Sequence, residues 1–434
     1  MTNRVRRFLM PIIALLLAVS GLSFSSAAQA AESNFSVAAK AAIAIDAETG
    51  KIFYNQDADT PMGIASITKT IGLYLVEEQI KDGKLNWDDP VTISEDVAAL
   101  SVAPDLSNVA LNAGEDYTVK ELFEASIIAS GNAAIVALAE KIAGSEPEFV
   151  DLMRAKVESW GITDATLVNA SGLNNSYLGD NIYPGTSSKD ENLMSAKDVA
   201  IVARHLITDF PEVLETSKTP TKVFGEGTTS QVEMVNWNWM LPGFLNYKEG
   251  VDGLKTGTTD LAGACFVGTM VKDGQRIITV VLNATNHESD PSARFVETSK
   301  LMDYTYANWK QEEVLPADSQ LPDMRTIAVK DGEELTTKVV LKDAVTLWVR
   351  KDMDKTKLTL TPQLNKEAKD KELEAPVNKG TKLGTATVAL AEDTLGYVDD
   401  TSHSSEIIVA KSVAKANFFV ILGRNIKNFF TNLF

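Results

Sequence analysis

The sequence predicts an α+β fold: a mixed, antiparallel-leaning sheet with packed helices, then a small all-β unit and an amphipathic terminal helix. Three observations lead there. Strand patterns open and close the region up to residue 314, and capped helical stretches fill its middle. Beyond residue 323 the texture changes to short β-branched runs between turn residues. The final residues, 413–434, carry an aromatic stripe at helical spacing.

Each element has its own local reason. Arg4, Arg6 and Arg7, an apolar run over 8–19 and the small-x-small sequence Ala28-Gln29-Ala30 read as an export signal, residues 1–30. The apolar run is shorter than the ~20 residues a membrane span needs. Residues 41–46 and 52–55 read as strands joined by the turn Glu48-Thr49-Gly50. A helix is expected over 66–80. Thr118 with Glu121, and Ser145 with Glu148 and Pro147, mark two further helix starts. Residues 196–208 look helical, 265–271 and 276–282 read as a hairpin about Asp273-Gly274, and 292–309 as a closing helix.

Residues 315–323 hold two prolines, two aspartates and no periodicity, and are expected to be a linker between a domain at 31–314 and a β-rich domain at 324–412. In the tail, 413–434, Phe418, Leu422, Ile426, Phe429 and Leu433 share one face. Lys415, Arg424 and Lys427 make the tail basic on a chain whose net charge is −18. A helix lying flat on an anionic membrane satisfies both features, since aromatics enter the acyl boundary and cations meet headgroups. A helix docked on the protein's own core would explain the apolar face but not the reversal of charge.

Composition narrows the function. Of 434 residues, 44% are hydrophobic and 23% charged, which excludes a disordered chain. The single cysteine rules out an intrachain disulfide framework, and the acid excess disfavours broad nucleic-acid binding. His205, His287 and His403 lack metal-ligand spacing and read as satisfied or solvent-exposed; no metal or cofactor is expected. Cys265 lies in an apolar run and reads as a small buried hydrophobe.

What remains is a serine–lysine system. Ser66-Ile67-Thr68-Lys69 places a hydroxyl and an amine one helical turn apart. The hydroxyl needs a base, and lysine becomes one when burial or nearby positive charge lowers its pKa. The spacing alone is common and recurs at Ser412-Val413-Ala414-Lys415, which runs into the tail and reads as chance. Ser130-Gly131-Asn132 and Lys255-Thr256-Gly257 each occur once. They add a second hydroxyl for proton relay, an amide to hold a peptide bond and a cation for a carboxylate.

With these three motifs in order, the sequence resembles the low-molecular-mass penicillin-binding proteins that are D-alanyl-D-alanine carboxypeptidases, of the penicillin-binding protein 5 type. The resemblance rests on residues 64–69, 128–133 and 250–257, on Asn236 and Asn238, and on the β-rich segment and amphipathic tail. It implies a β-lactamase/transpeptidase-like catalytic fold, and a serine peptidase that removes the terminal D-alanine of peptidoglycan stem peptides and is acylated by β-lactam antibiotics. By the same resemblance Ser66 is the nucleophile, Lys69 its base and Ser130 the proton relay. Asn132, Lys255, Thr256 and Thr258 hold substrate, Thr258 through its backbone N–H together with that of Ser66. Ala133 stands where the family often has aspartate, and the residue after Gly257, here Thr258, varies in the family. The implied location is the outer face of the cytoplasmic membrane. Two other functions share these features: a class A β-lactamase, which needs a glutamate that residues 163–175 lack, and a non-catalytic membrane-attached binding module.

Overall fold

The structure is a computed structural model that describes residues 35–228, 231–399 and 404–431; the expected export signal and His403 lie outside these. Strands β1 (Ala39–Asp46) and β2 (Ile52–Gln56) form the expected first hairpin. The later strands are β3 (Val251–Thr259), β4 (Gly263–Lys272) and β5 (Gln275–Ala284). Together they make one five-stranded sheet in the order β2-β1-β5-β4-β3, with every neighbouring pair antiparallel. β1 is buried along nearly its whole length, so alternation gives way to a continuous apolar run, as happens when both faces of a sheet are covered.

The helical layer follows its caps. After a 3₁₀ turn (Ala65–Thr68) come α1 (Lys69–Lys81), α2 (Glu95–Ser101), α3 (Val119–Ile127), α4 (Asn132–Ala143), α5 (Glu146–Ser159), α6 (Ala196–Asp209) and α7 (Ala293–Asn308). Thr118 and Glu121 complete a capping box, and Ser145 caps α5 through the Glu148 N–H. Ser195 and Asp198 form a second box on α6 that the sequence reading passed over. Each such cap is worth ~1 kcal/mol. The helix expected from residue 66 begins instead at Lys69. Ala65 has φ +48°, a left-handed conformation that starts a tight 3₁₀ turn rather than an α-helix.

The segment expected as a linker is part of the β domain. β6 (Trp309–Leu315) already pairs with β9 (Val345–Arg350). Gln320 bridges to Val340, and Leu321 is 2% exposed within the core beside Val339 and Ile407. One buried leucine between two prolines leaves no period to read. The remaining strands are β7 (Thr326–Lys330), β8 (Thr336–Leu341), β10 (Leu358–Leu364), β11 (Glu372–Glu374), β12 (Lys382–Leu390) and β13 (Ser404–Val409). They form a six-stranded sheet in the order β10-β12-β13-β8-β7-β11.

This domain is clasped to the first one. Lys51, 1% exposed, donates to Asp393 Oδ1 at 2.9 Å, to the Ile52 carbonyl at 2.8 Å and to the Gly396 carbonyl at 2.9 Å. Val398 donates its N–H to the Gly50 carbonyl and sits in the hydrophobic core of the first domain. Trp309 Nε1 donates to the Phe53 carbonyl at 3.1 Å.

Helix α8 (Phe418–Thr431) buries no residue, and Phe418, Phe419, Ile426, Phe429 and Phe430 are all exposed. Arg424 ties it to the β domain by donating to the Gly332 carbonyl at 2.7 Å. Among the described residues no helix is long and apolar enough to cross a membrane.

Candidate active site

The three motifs converge at one edge of the sheet. The 3₁₀ turn delivers Ser66, α1 begins with Lys69, the segment between α3 and α4 delivers Ser130, α4 begins with Asn132, and β3 delivers Lys255, Thr256 and Thr258. Val267 pairs with Lys255, and Cys265 with Gly257, so β4 fixes the register of the motif strand. A cleft of about 420 Å³ opens here, lined by Ser66, Ser130, Thr256 and Thr258.

Close backbone contacts set the position of Ser66. A Cβ on Gly257 would overlap the Ile64 carbonyl oxygen, and one on Gly172 would overlap the Ala65 carbonyl. The turn carrying Ser66 is therefore wedged between two glycines, one on β3 and one in the loop at 169–173. Ser130 itself has φ +58°, a conformation costly for a residue with a Cβ and held here by the surrounding structure.

Lys69 is fully buried, and its Nζ has three neighbours: Ser66 Oγ at 2.8 Å, Asn132 Oδ1 at 2.7 Å and the Ser171 carbonyl at 2.8 Å. None of them is a carboxylate. Burial holds its pKa well below the ordinary lysine value, the nearby Lys255 lowers it further, and Glu146 opposes both. Lys255 Nζ lies 2.8 Å from Ser130 Oγ, and burial, aided by Arg294, brings its pKa down to about 7. Two amines thus flank two hydroxyls in one cleft.

All seven residues singled out in the sequence lie at this edge of the sheet, and the hydrogen bonds join Ser66, Lys69 and Asn132 in one set and Ser130 with Lys255 in another. Sequence reasoning missed several neighbours. Asp105, Ser107, Trp237, Trp239, His287 and Arg294 also line the cleft. His287 is expected from the sequence to be satisfied or solvent-exposed. It does bond the Ala284 carbonyl, yet it also faces the cleft. Arg294 donates to the Gly257 carbonyl at 2.8 Å while its buried Nε has no partner. Ser171 and Gly172 were also missed; the only signal was the polar cluster Asn169-Ala170-Ser171-Gly172, which reads as an ordinary turn.

The other expectations hold their places. Cys265 is buried, and burial pushes its thiol up to about 11, which keeps it inert. His205 stacks on Trp160 away from the cleft. Asn236 and Asn238 are structural: Asn236 donates to the Thr219 carbonyl, and its Oδ1 accepts the Asn238 N–H. Ser412, in the second serine–lysine match, accepts the Lys379 N–H within the β domain.

A serine paired with a buried, carboxylate-free lysine, beside a second hydroxyl–amine pair, defines an acyl-transfer enzyme of the serine–lysine class. Residues 26–286 match the D-alanyl-D-alanine carboxypeptidase family, and residues 309–415 match the C-terminal domain of penicillin-binding protein 5. The chain belongs to this family and is a serine-type D-Ala-D-Ala carboxypeptidase, a hydrolase, rather than a β-lactamase or a non-catalytic module. It is similar to D-alanyl-D-alanine carboxypeptidase DacF of Bacillus subtilis, with 29% identity over 94% of this chain and 96% of that one. The crystal structure of a peptidoglycan synthesis regulatory factor, PBP3, from Streptococcus pneumoniae is 43% identical, with a TM-score of 0.72 over 87% of this chain and all of that one. Penicillin-binding protein D2 from Listeria monocytogenes, in its cefotaxime-bound form, is 30% identical with a TM-score of 0.52 over 63% of this chain and all of that one.

Proposed function

We propose the following roles for the site residues. Ser66 Oγ attacks the carbonyl of the penultimate D-alanine while Lys69 accepts the hydroxyl proton. The tetrahedral oxyanion is met by the backbone N–H groups of Ser66 and Thr258, at ~3 kcal/mol per donor. Collapse expels D-alanine, whose nitrogen takes a proton relayed by Ser130 from the Lys69 side. An acyl-enzyme on Ser66 remains. Lys69, neutral again, then takes a proton from water, and the resulting hydroxide nucleophile releases the shortened peptide. Asn132 orients the substrate amide. Lys255 and Thr256 hold the terminal carboxylate, and Arg294 adds positive field to the same cleft. β-Lactams enter the same route and stop at the acyl-enzyme. The observation that carries this reading is the 2.8 Å approach of Lys69 Nζ to Ser66 Oγ with no carboxylate on the amine.

The test uses the soluble chain with a peptide ending in D-Ala-D-Ala. D-Alanine release that disappears in Ser66→Ala is expected, as is labelling of Ser66 by a tagged penicillin. Equal release by the variant overturns the assignment.

The same proposal places the protein outside the cytoplasm, exported by residues 1–30 and held on an anionic membrane surface by α8. The support is the exposed aromatic face and the cations Lys415, Arg424 and Lys427. Deleting residues 415–434 should release the protein from vesicles containing anionic lipid while leaving hydrolysis of a soluble peptide intact. A truncated chain that still sediments with the vesicles refutes the anchor.

A further inference from the structure

Glu146 is a buried carboxylate that the roles above leave unused. It is 5% exposed, at the start of α5. Its Oε1 accepts the Ala170 N–H at 2.8 Å. The next residue, Ser171, supplies the carbonyl to which Lys69 donates at 2.8 Å. A continuous path therefore runs from Glu146 through the backbone of two residues, Ala170 and Ser171, to the Lys69 amine. The other ties of that loop are also polar and buried: Asn192 Oδ1 accepts the Val168 N–H at 2.6 Å, and Asn169 Oδ1 accepts the Gly172 N–H at 2.7 Å. Glu146 is the only ionisable side chain among these three anchors.

Glu146 also lines a second cavity of about 500 Å³, whose lining does not include Lys69. Apart from Tyr177, the other titratable groups lining it are acidic. Glu140 of α4, Asp96 of α2 and Tyr177 share that cavity, and no lysine or arginine lines it. Glu148, on the same helix, accepts instead from Ser145 Oγ. The one cation acting on Glu146 is Lys69.

We propose that Glu146 is a positioning residue for the Ser66–Lys69 pair: it fixes the Ser171 carbonyl on the amine, and its negative charge acts on that amine from behind. The inference rests on the serine–lysine reading above and adds a part that reading does not contain. Burial, helped by Glu140, brings the Glu146 carboxyl up to about 7, so its charge changes within the working pH range. When ionised it favours the ammonium form of Lys69 and so opposes its action as a base. When protonated it releases the amine.

The sign for a variant follows. Glu146→Gln keeps an oxygen for the Ala170 N–H but removes the charge, so Lys69 is free at lower pH. Glu146→Leu removes both. The measurement is the second-order rate of Ser66 acylation by a fluorescent penicillin, followed from pH 5 to 9 on the intact chain. Glu146→Gln should move the acid limb down by ~0.5 pH unit or more and leave thermal unfolding nearly unchanged. Glu146→Leu should lose at least ~10-fold in rate and unfold earlier. A purely structural carboxylate would lower stability without moving the limb in the glutamine variant. A glutamine profile that superimposes on the parent overturns the proposal, whether or not the leucine variant folds. A parent protein that takes no label at Ser66 instead overturns the serine–lysine reading beneath it.

Discussion

Gly172 is where the geometry makes its sharpest demand. It sits at φ +79°, and a Cβ there would overlap the Ala65 carbonyl and come within 2.8 Å of Thr68 Oγ1. Gly172→Ala therefore has two costs. A left-handed alanine costs ~1 kcal/mol, and forcing apart two packed backbone segments adds ~2 kcal/mol. Gly83→Ala isolates the first cost, because Gly83 has φ +70° and nothing within 4 Å of its would-be Cβ. At ~2 °C per kcal/mol for a domain of this size, Gly83→Ala should lower Tm by ~2 °C and Gly172→Ala by ~6 °C. Activity separates them further. The atoms that must yield belong to the turn carrying Ser66 or to the loop carrying the Ser171 carbonyl, and a displacement near 1 Å costs ~100-fold in rate. Acylation by a fluorescent penicillin and differential scanning fluorimetry read both effects. If Gly172→Ala acylates within threefold of Gly83→Ala, the loop does not position the nucleophile and the argument fails.

Three other predictions follow from single contacts. Lys69→Arg keeps the positive charge but cannot give up a proton near neutral pH, so acylation should fall by ~1000-fold; retention of more than a tenth of the rate refutes Lys69 as base. Lys255 titrates near 7 in the free site, so its hold on a carboxylate weakens as pH rises past that point. The alkaline limb of kcat/KM should therefore flatten in Lys255→Arg, and an unchanged limb assigns it to another group. Asp393→Asn leaves the Lys51 ammonium buried without its countercharge, a change worth ~3 kcal/mol, so amide exchange at Ile52 and Val398 should accelerate selectively; uniform exchange across the chain contradicts a clasp at that point.

The legible and illegible parts of the sequence divide by range. Caps at Thr118 and Ser145 and the Asp273-Gly274 turn are local chemistry, and each was readable. The three motifs were readable because each packs hydroxyl, amine or amide groups into a few adjacent residues. Ser171 escaped because it contributes a backbone carbonyl, which any residue carries. Gly172 escaped because its reason is the Ala65 carbonyl, about a hundred residues away in sequence. Glu146 looked like an ordinary first-turn acid beside Ser145 and Pro147, since nothing local says that its carboxylate turns inward to Ala170. The 3₁₀ turn at Ala65–Thr68 was likewise set by tertiary contacts with β3 and the loop at 169–173, not by propensity.

The count of protons around Lys69 supports the proposal that this lysine, rather than Lys255, is the base. An ammonium has three hydrogens and no acceptor; a neutral amine has two hydrogens and one lone pair. The Asn132 Oδ1 and the Ser171 carbonyl can only accept, so they take two hydrogens of Lys69 in either state. The third neighbour, Ser66 Oγ, is a hydroxyl and can donate. A neutral Lys69 thus has both hydrogens engaged and its lone pair facing the Ser66 proton, which is the ground state a general base requires. Lys255 has a different set: Ser130 Oγ at 2.8 Å and the Thr256 carbonyl at 3.2 Å. That leaves one ammonium hydrogen free for an incoming carboxylate, whose charge would favour the protonated form. On the proposed roles, substrate binding would drive the two lysines apart in charge, since a protonated Lys255 lowers the proton affinity of Lys69, and the base would be readied when a carboxylate is in place.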